Sequence, residues 1–150
     1  RDHNNFELRY IVDQPNHNFQ IRSDEVLTSD IRNILSDDKV DVVAVATPPD
    51  THESIALEVI QAGKHVLIEK PLATSVAGGR KLVDAASAAN VTLMCDHTYC
   101  YSPAVEFIKK VIEQGELGEI IFIDSIISSS VIRIIDLTSF LIIGKFLSPS

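Results

Sequence analysis

Ala62-Gly-Lys-His-Val-Leu-Ile-Glu-Lys-Pro-Leu-Ala73 is the stretch that decides the fold, because a short apolar run leads directly into a Glu-Lys-Pro corner. Gly63 opens a turn, and the run His65 to Ile68 predicts a buried β-strand. Open α/β sheets hold their ligands at the carboxyl ends of such strands. Lys70 is therefore placed to hydrogen-bond a substrate hydroxyl or to exchange a proton with it. The alternative is a surface ion pair between Glu69 and Lys70, which contributes little stability.

Strands and helices alternate along the chain. The pattern predicts further strands over Phe6 to Val12, Val40 to Ala46, Val91 to Cys95 and Ile120 to Ile127. It predicts helices from Ser29-Asp30 through Leu35, from Asp50 to Ala62, from Ser75 to Ala89 and from Pro103 to Gln114. The polar stretch Gln14 to Arg22 is predicted to be a loop. Alternating elements imply right-handed crossovers, so the predicted fold class is α/β with a doubly wound parallel sheet.

Composition and charge exclude several classes of protein. With 150 residues, 45% of them apolar and 23% charged, the chain has the composition of a globular domain with a sizeable core. The net charge of −8, with no cluster of Lys and Arg, argues against a nucleic-acid surface. Asp124, Arg133 and Asp136 interrupt the apolar C-terminal segment, so no uncharged run approaches the roughly 20 residues of a membrane-spanning helix.

The cysteines suggest a reducing compartment. Cys95 and Cys100 form neither a disulfide framework nor a zinc site, so we interpret them as reduced, structural thiols. Charged and polar residues open the chain, and no secretory signal precedes the first strand. The sequence therefore predicts a cytoplasmic protein with no bound metal.

A family resemblance appears in the segments that flank the Glu-Lys-Pro corner. Val40 to His52, followed by that corner, resembles the nucleotide-binding half of the Gfo/Idh/MocA oxidoreductases, and the resemblance continues through Leu93 to Val105 and Gly115 to Ile120. It is nearest to the nucleotide-sugar dehydrogenases, because the His97-Thr-Tyr and Tyr-Ser-Pro segments are more typical there.

The resemblance implies a Rossmann-like, NAD-dependent dehydrogenase. Such an enzyme transfers a hydride between nicotinamide and the secondary alcohol of a sugar or nucleotide sugar. A same-family enzyme with a non-sugar substrate is an alternative. The family's habit of pairing through its second-domain sheet further implies a homodimer or homotetramer.

The chain departs from the family pattern at both ends. It starts where the family's second strand lies, and it contains no Gly-x-Gly-x-x-Gly turn, so we expect a truncated form of the family sequence. We assign residues 1–118 to an incomplete dinucleotide-binding domain and 119–150 to a remnant of the α+β substrate domain. Without the glycine turn these residues alone are expected to bind dinucleotide weakly and not to turn over. A non-catalytic, Rossmann-like interaction module is the rival hypothesis.

Three predicted cofactor contacts precede the Glu-Lys-Pro corner. At the end of a strand, Asp13 is placed to accept hydrogen bonds from the adenosine ribose and to repel a 2′-phosphate, which favours NAD over NADP; alternatively it is a turn-forming residue. The turn Thr47-Pro48-Pro49 lacks two backbone donors and forms either a wall for the dinucleotide or simply a rigid turn. His52 either contacts the cofactor or occupies the first turn of a helix.

The remaining predicted roles follow from the resemblance. Glu69 accepts a hydrogen bond from the nicotinamide ribose, and Lys70 and Pro71 complete the cofactor-binding set. Lys70 also steers the substrate hydroxyl and assists proton removal. His97 is the second catalytic candidate and lines the nicotinamide pocket, unless it is an ordinary core histidine. Two tyrosines are candidate substrate contacts or else pack at a domain junction; these are Tyr99 and Tyr101.

Overall fold

The computed structural model describes residues 6–13, 23, 25–121 and 140–146, the last range as backbone only. Its strands are β1 (Phe6–Val12), β2 (Val26–Thr28), β3 (Val42–Ala46), β4 (His65–Glu69), β5 (Leu93–Asp96) and β6 (Phe140–Phe146). Its α-helices are α1 (Arg32–Leu35), α2 (His52–Gln61), α3 (Val76–Ala89) and α4 (Pro103–Glu113). Two 3₁₀ turns cover Pro49–Thr51 and Thr98–Tyr101. The chain divides into two units, residues 1–96 with 137–150 and residues 97–136.

The first unit contains a six-stranded sheet with the order β2-β1-β6-β3-β4-β5. Neighbouring strands β1 and β2 are parallel, and so are β3, β4 and β5. Between these groups β6 runs antiparallel to both β1 and β3, which therefore point in the same direction. The predicted α/β class with a Rossmann-like parallel sheet is confirmed.

The sequence predicted strand and helix pieces in the C-terminal tail, but it did not predict that one of these strands joins this sheet. The segment Phe-Leu-Ile-Ile-Gly-Lys-Phe at 140–146 is rich in residues that favour strands, and its backbone pairs on both sides. It therefore lies in the sheet of the first unit. The domain boundary after residue 118 stays a prediction.

Two further differences separate the observed elements from the predicted ones. Ile120 and Ile121 are not in a strand, and the rest of the strand predicted there lies outside the described residues, as do the Gln14–Arg22 loop and Asp136. The three-residue strand β2 was not predicted, because so short a run has no periodicity to detect.

The core of the first unit lies where helices α2 and α3 cover β3 and β4. Alternate residues of each strand face these helices, and apolar residues at helical spacing meet them. The fully or nearly fully buried members are Val43, Val45, Val66, Ile68, Ala56, Val59, Ile60, Leu82 and Ala86, with Ile34 and Val40 from the preceding segment. This packing fixes where the ends of β3 and β4 lie relative to each other.

Two turns set the position of β4. Gly63 follows α2 with φ of 73°, a left-handed conformation that glycine adopts without steric cost, and the chain then enters β4. After β4, Ser75 caps the N-terminus of helix α3, and its hydroxyl accepts a hydrogen bond from the Gly78 N–H at 3.0 Å. The segment between Glu69 and Ser75 is thereby held at both ends.

The second unit contains one described α-helix, α4. Its N-terminus is capped by Ser102, which accepts a hydrogen bond from the Val105 N–H at 3.4 Å. Gly115, with φ of 72°, follows the helix. Across the described residues of both units, every helix is too short or too polar to span a membrane.

Candidate functional site

The turns that follow β3 and β4 leave the sheet side by side. The two strands are parallel neighbours, with Val45 opposite Ile68, so both end at the same edge. Strand β1 points in the same direction and ends at Val12, directly before Asp13. The sheet thus brings three predicted site segments to its carboxyl edge, where α/β sheets bind ligands.

Asp13 is a buried acidic residue at this edge. It is 7% exposed, and its backbone N–H donates to the Thr28 carbonyl oxygen at 3.1 Å, beside the end of β2. A carboxylate at the end of the strand matches the position expected for a ribose-binding acid. Its contact with a cofactor stays a prediction.

The turn after β3 is locked by threonine hydroxyls. The Thr51 hydroxyl and backbone N–H both donate to the Pro48 carbonyl oxygen, at 2.7 and 2.9 Å. The Thr47 and Thr51 hydroxyl oxygens lie 2.6 Å apart. Pro49 occupies the first position of the 3₁₀ turn, where its missing N–H costs nothing. The turn is rigid, as the sequence predicted under both of its interpretations.

His52 is buried between the two turns. It is 1% exposed, and its Nδ1 lies 2.8 Å from the Pro71 carbonyl oxygen, while its Nε2 lies 2.7 Å from the Thr47 carbonyl oxygen. Both ring nitrogens are therefore engaged by the main chain. The sequence did not reveal the contact with Pro71, because 19 residues separate the pair and no local pattern links them.

The Glu-Lys-Pro corner presents Lys70 to solvent. The Lys70 backbone N–H donates to the Glu69 carboxylate at 3.2 Å, and the Lys70-Pro71 peptide bond is cis. No ion pair of Lys70 occurs among the described residues. The ammonium group is therefore available to a ligand at this edge, whereas the Glu69 carboxylate already accepts one hydrogen bond.

Cys95 lies beside the acidic ends of β4 and β5. Burial, together with the negative charges of Asp96 and Glu69, raises the pKa of its thiol, and a hydrogen bond from the Leu72 N–H only partly opposes this. The thiol is thus a poor nucleophile near neutral pH. Cys95 and Cys100 are both free, as the interpretation as reduced thiols requires.

The second unit carries the remaining candidates. His97 precedes the 3₁₀ turn Thr98–Tyr101 and is exposed, as are Tyr99 and Tyr101, at 54% and 64%. Their roles stay predictions. In the described parts of the chain no three His, Cys, Asp or Glu side chains are grouped as metal ligands would be.

Comparison with known proteins connects this site to a family. A family model described as "Oxidoreductase family, NAD-binding Rossmann fold" matches residues 1–97. Levoglucosan dehydrogenase from Pseudarthrobacter phenanthrenivorans is 40% identical over 94 residues, which are 63% of this chain and 24% of that protein. 1,5-Anhydro-D-fructose reductase from Ensifer adhaerens is 36% identical over 88 residues, 59% of this chain and 26% of the reductase.

Solved structures agree with the sequence relatives. Levoglucosan dehydrogenase in complex with NADH superposes with a TM-score of 0.58 at 40% identity, covering 62% of this chain and 25% of the other. The WlbA dehydrogenase from Bordetella pertussis, in complex with NADH and UDP-GlcNAcA, gives 0.60 at 35% identity, covering 63% and 28%. The chain spans about a quarter of the length of the relatives it matches.

Proposed function

Because the chain belongs to the Gfo/Idh/MocA family of NAD-binding oxidoreductases, we propose that the protein transfers a hydride between nicotinamide and a secondary alcohol of a sugar or nucleotide sugar. The observation that carries this proposal is the placement of the Thr47-Pro48 turn beside the exposed Lys70 at one edge of the sheet. The named substrates of the relatives, levoglucosan and anhydrofructose, support the sugar class. A non-sugar alcohol is the alternative within the family.

The residues at the sheet edge suit NAD. Asp13 would hold the adenosine ribose, the Thr47-Pro48-Pro49 turn would contact the dinucleotide, and Glu69 would accept from the nicotinamide ribose. NAD as the family's cofactor is confirmed by the description of the family and by the NADH in two related structures. When bound, the cofactor supplies the hydride chemistry.

Lys70 is the proposed acid–base residue. As the alcohol is oxidised and its hydride passes to nicotinamide, the neutral amine of Lys70 would accept the hydroxyl proton, and the resulting ammonium group would hydrogen-bond the new carbonyl oxygen and return the proton in the reverse reaction. The backbone next to Lys70 is held in place, because the carbonyl oxygen of Pro71 is in contact with the His52 ring. His97 is proposed as the second catalytic residue on the family resemblance alone.

A binding module without catalysis is the second candidate. Such a module would hold a dinucleotide at the same sheet edge without oxidising an alcohol. A cytoplasmic homo-oligomer is proposed under either function.

Calorimetric titration with NADH and NADPH tests cofactor binding. We expect tighter binding of NADH than of NADPH, since the Asp13 carboxylate repels a 2′-phosphate. An Asp13→Asn variant should lose much of that preference. Equal or tighter binding of NADPH by the unaltered protein would contradict the assignment of Asp13.

Because residues 1–150 alone are not expected to turn over, the full-length protein is offered a panel of sugars and nucleotide sugars, and NADH formation followed by absorbance separates the enzyme from the binding module. Oxidation of any member supports the proposal. Cofactor binding without oxidation of sugars or of simple secondary alcohols supports the module.

A further inference from the structure

The side chain of His52 connects the two turns of the candidate site, and in each turn it contacts a main-chain carbonyl oxygen. Its ring lies between the carbonyl oxygens of Thr47 and Pro71, at 2.7 and 2.8 Å. Because carbonyl oxygens only accept, each contact needs a proton on the facing nitrogen. The doubly protonated ring donates to both oxygens, and each neutral tautomer donates to one.

These contacts bridge a place where the sheet itself no longer holds the chain. The register of β3 and β4 ends with Val45 opposite Ile68, so the carbonyls of Thr47 and Pro71 lie beyond the paired region. Among the described residues no other side chain is hydrogen-bonded to both turns. His52 therefore sets the distance between them.

The ring is itself held firmly. His52 is the first residue of α2, and it is 1% exposed. Three further residues of that helix, Ala56, Val59 and Ile60, are buried in the core. A movement of the ring away from either carbonyl would have to displace packed side chains, so the bridge is rigid.

We propose that His52 is a positioning residue, which fixes the Thr47-Pro48 turn against the Lys70-Pro71 corner so that cofactor and substrate meet Lys70 in one geometry. This role rests on the proposed function. It differs from direct cofactor contact, because both ring nitrogens are occupied by backbone. Residues that support a site in this way are effective when their own conformation is locked by packing and hydrogen bonds.

The test compares His52→Phe with a matched change at the other end of β4. His65 begins that strand, and its Nδ1 accepts a hydrogen bond from the Thr92 N–H at 2.9 Å, so His65→Phe also removes an imidazole contact with backbone. His52→Gln keeps one amide donor and serves as the conservative variant, which also remains informative if the phenylalanine variant folds poorly.

Amide hydrogen exchange is the first measurement. The reporters are the amides of Lys70, whose N–H donates to the Glu69 carboxylate, and of Leu72, which follows Pro71; the amides of Leu67 and Ile68 in β4 are internal references. In His52→Phe we expect the reporters to exchange at least about tenfold faster relative to the references, with a smaller change in His52→Gln. In His65→Phe the ratio should stay within about twofold of the unaltered protein.

Titration with NADH is the second measurement. We expect the Kd to rise at least about fivefold in His52→Phe, less in His52→Gln, and by less than about twofold in His65→Phe. A purely structural role for His52 would speed the exchange of reporters and references by the same factor, and that result would overturn the proposal. Unchanged exchange of the reporter amides in His52→Phe would overturn it as well. If the unaltered protein binds no NADH, the proposed function fails, while the exchange ratio still decides the positioning role.

Discussion

Lys70 is the residue on which the proposed chemistry depends. We expect Lys70→Met, in the polypeptide that oxidises the sugar, to lower kcat by about 10²- to 10⁴-fold, which is the usual contribution of acid–base assistance. Affinity for NADH should fall far less than kcat, because Met keeps much of the volume of the side chain and the other proposed cofactor contacts remain. Steady-state kinetics and NADH titration measure the two effects.

Lys81→Met is the matched control for this prediction. Lys81 lies on α3 and pairs with Glu53 at 3.0 Å, away from the proposed chemistry. Its kcat should equal that of the unaltered enzyme. A kcat for Lys70→Met within about threefold of that value would end the catalytic assignment.

Asp37 is a second residue whose environment has a measurable consequence. Its carboxylate accepts a hydrogen bond from the Lys39 N–H at 2.8 Å and another from the Tyr10 hydroxyl at 2.8 Å, and Arg9 Nε lies 3.7 Å away. These donors and the arginine charge lower the pKa of Asp37, although burial opposes them. The same contact raises the pKa of Tyr10, because its hydroxyl proton is held by the carboxylate.

The lowered pKa of Asp37 predicts how stability depends on pH. The folded chain binds the Asp37 proton less readily than the unfolded chain, so the stabilisation is complete above the unfolded pKa of about 3.9 and is lost as the pH falls through the folded value. Asp37→Asn should reduce the free energy of unfolding at pH 7 by about 1–2 kcal/mol. Urea denaturation from pH 7 down to about pH 2 should show a shallower acid dependence in the variant. Parallel curves for the two proteins would contradict this assignment.

At the scale of elements, one lysine ties the end of α1 to the start of β4. Lys64 is 7% exposed, and its Nζ donates to the carbonyl oxygens of Asp37 and Val40 at 2.8 and 3.0 Å. These carbonyls belong to the connection between α1 and β3, which contains no regular structure of its own. Lys64 therefore adds a charged donor to both carbonyl oxygens, of which that of Asp37 also accepts from the Val40 N–H at 3.1 Å.

Lys64→Met should destabilise the fold. It keeps the apolar stem but leaves two carbonyl oxygens without their charged donor, at a cost of about 1–3 kcal/mol in the free energy of unfolding. Urea denaturation measures the change, with Lys39→Met on the exposed surface as the control. If Lys64→Met lowers the free energy of unfolding no more than the control does, water satisfies the two carbonyl oxygens as well as Nζ does.

At the scale of the whole sheet, β6 joins two groups of strands. It is the only strand paired with both β1 and β3 in the described part of the chain, so β1–β2 and β3–β5 are connected through its backbone. Ile142 lies opposite Ile11 on one side and opposite Ala44 on the other. Proline at that position removes a ladder donor from a central strand.

Ile142→Pro should therefore lower the free energy of unfolding by about 3 kcal/mol or more. Ile142→Val, which keeps the N–H and a β-branched side chain, should cost no more than about 1.5 kcal/mol. Amide exchange should also speed up more in β1 than in β4 for the proline variant, because β4 keeps its pairing with β3 and β5. Equal stability of the two variants would show that β6 does not hold the sheet together.

Much of the fold and part of the site follow from local sequence. The β-branched run before Thr47 and the apolar run before Glu69 predict two buried strands, since the interior of a parallel sheet demands such residues. Their polar endings predict where ligands bind. Local sequence does not predict where β6 pairs in the sheet, because pairing partners more than 90 residues apart along the chain, such as Val42 and Gly144, leave no periodic signal.

The sequence by itself determined the α/β class, the family and the identity of the residues at the sheet edge. Periodicity and turn chemistry are local properties, and the motif Thr-Pro-Pro-Asp-Thr-His with Glu-Lys-Pro is specific. Only the tertiary structure decided that β6 runs through the centre of the sheet and that His52 bridges Thr47 and Pro71. Both are contacts between distant segments, which form only when core packing brings unrelated backbone groups together and those groups then require partners.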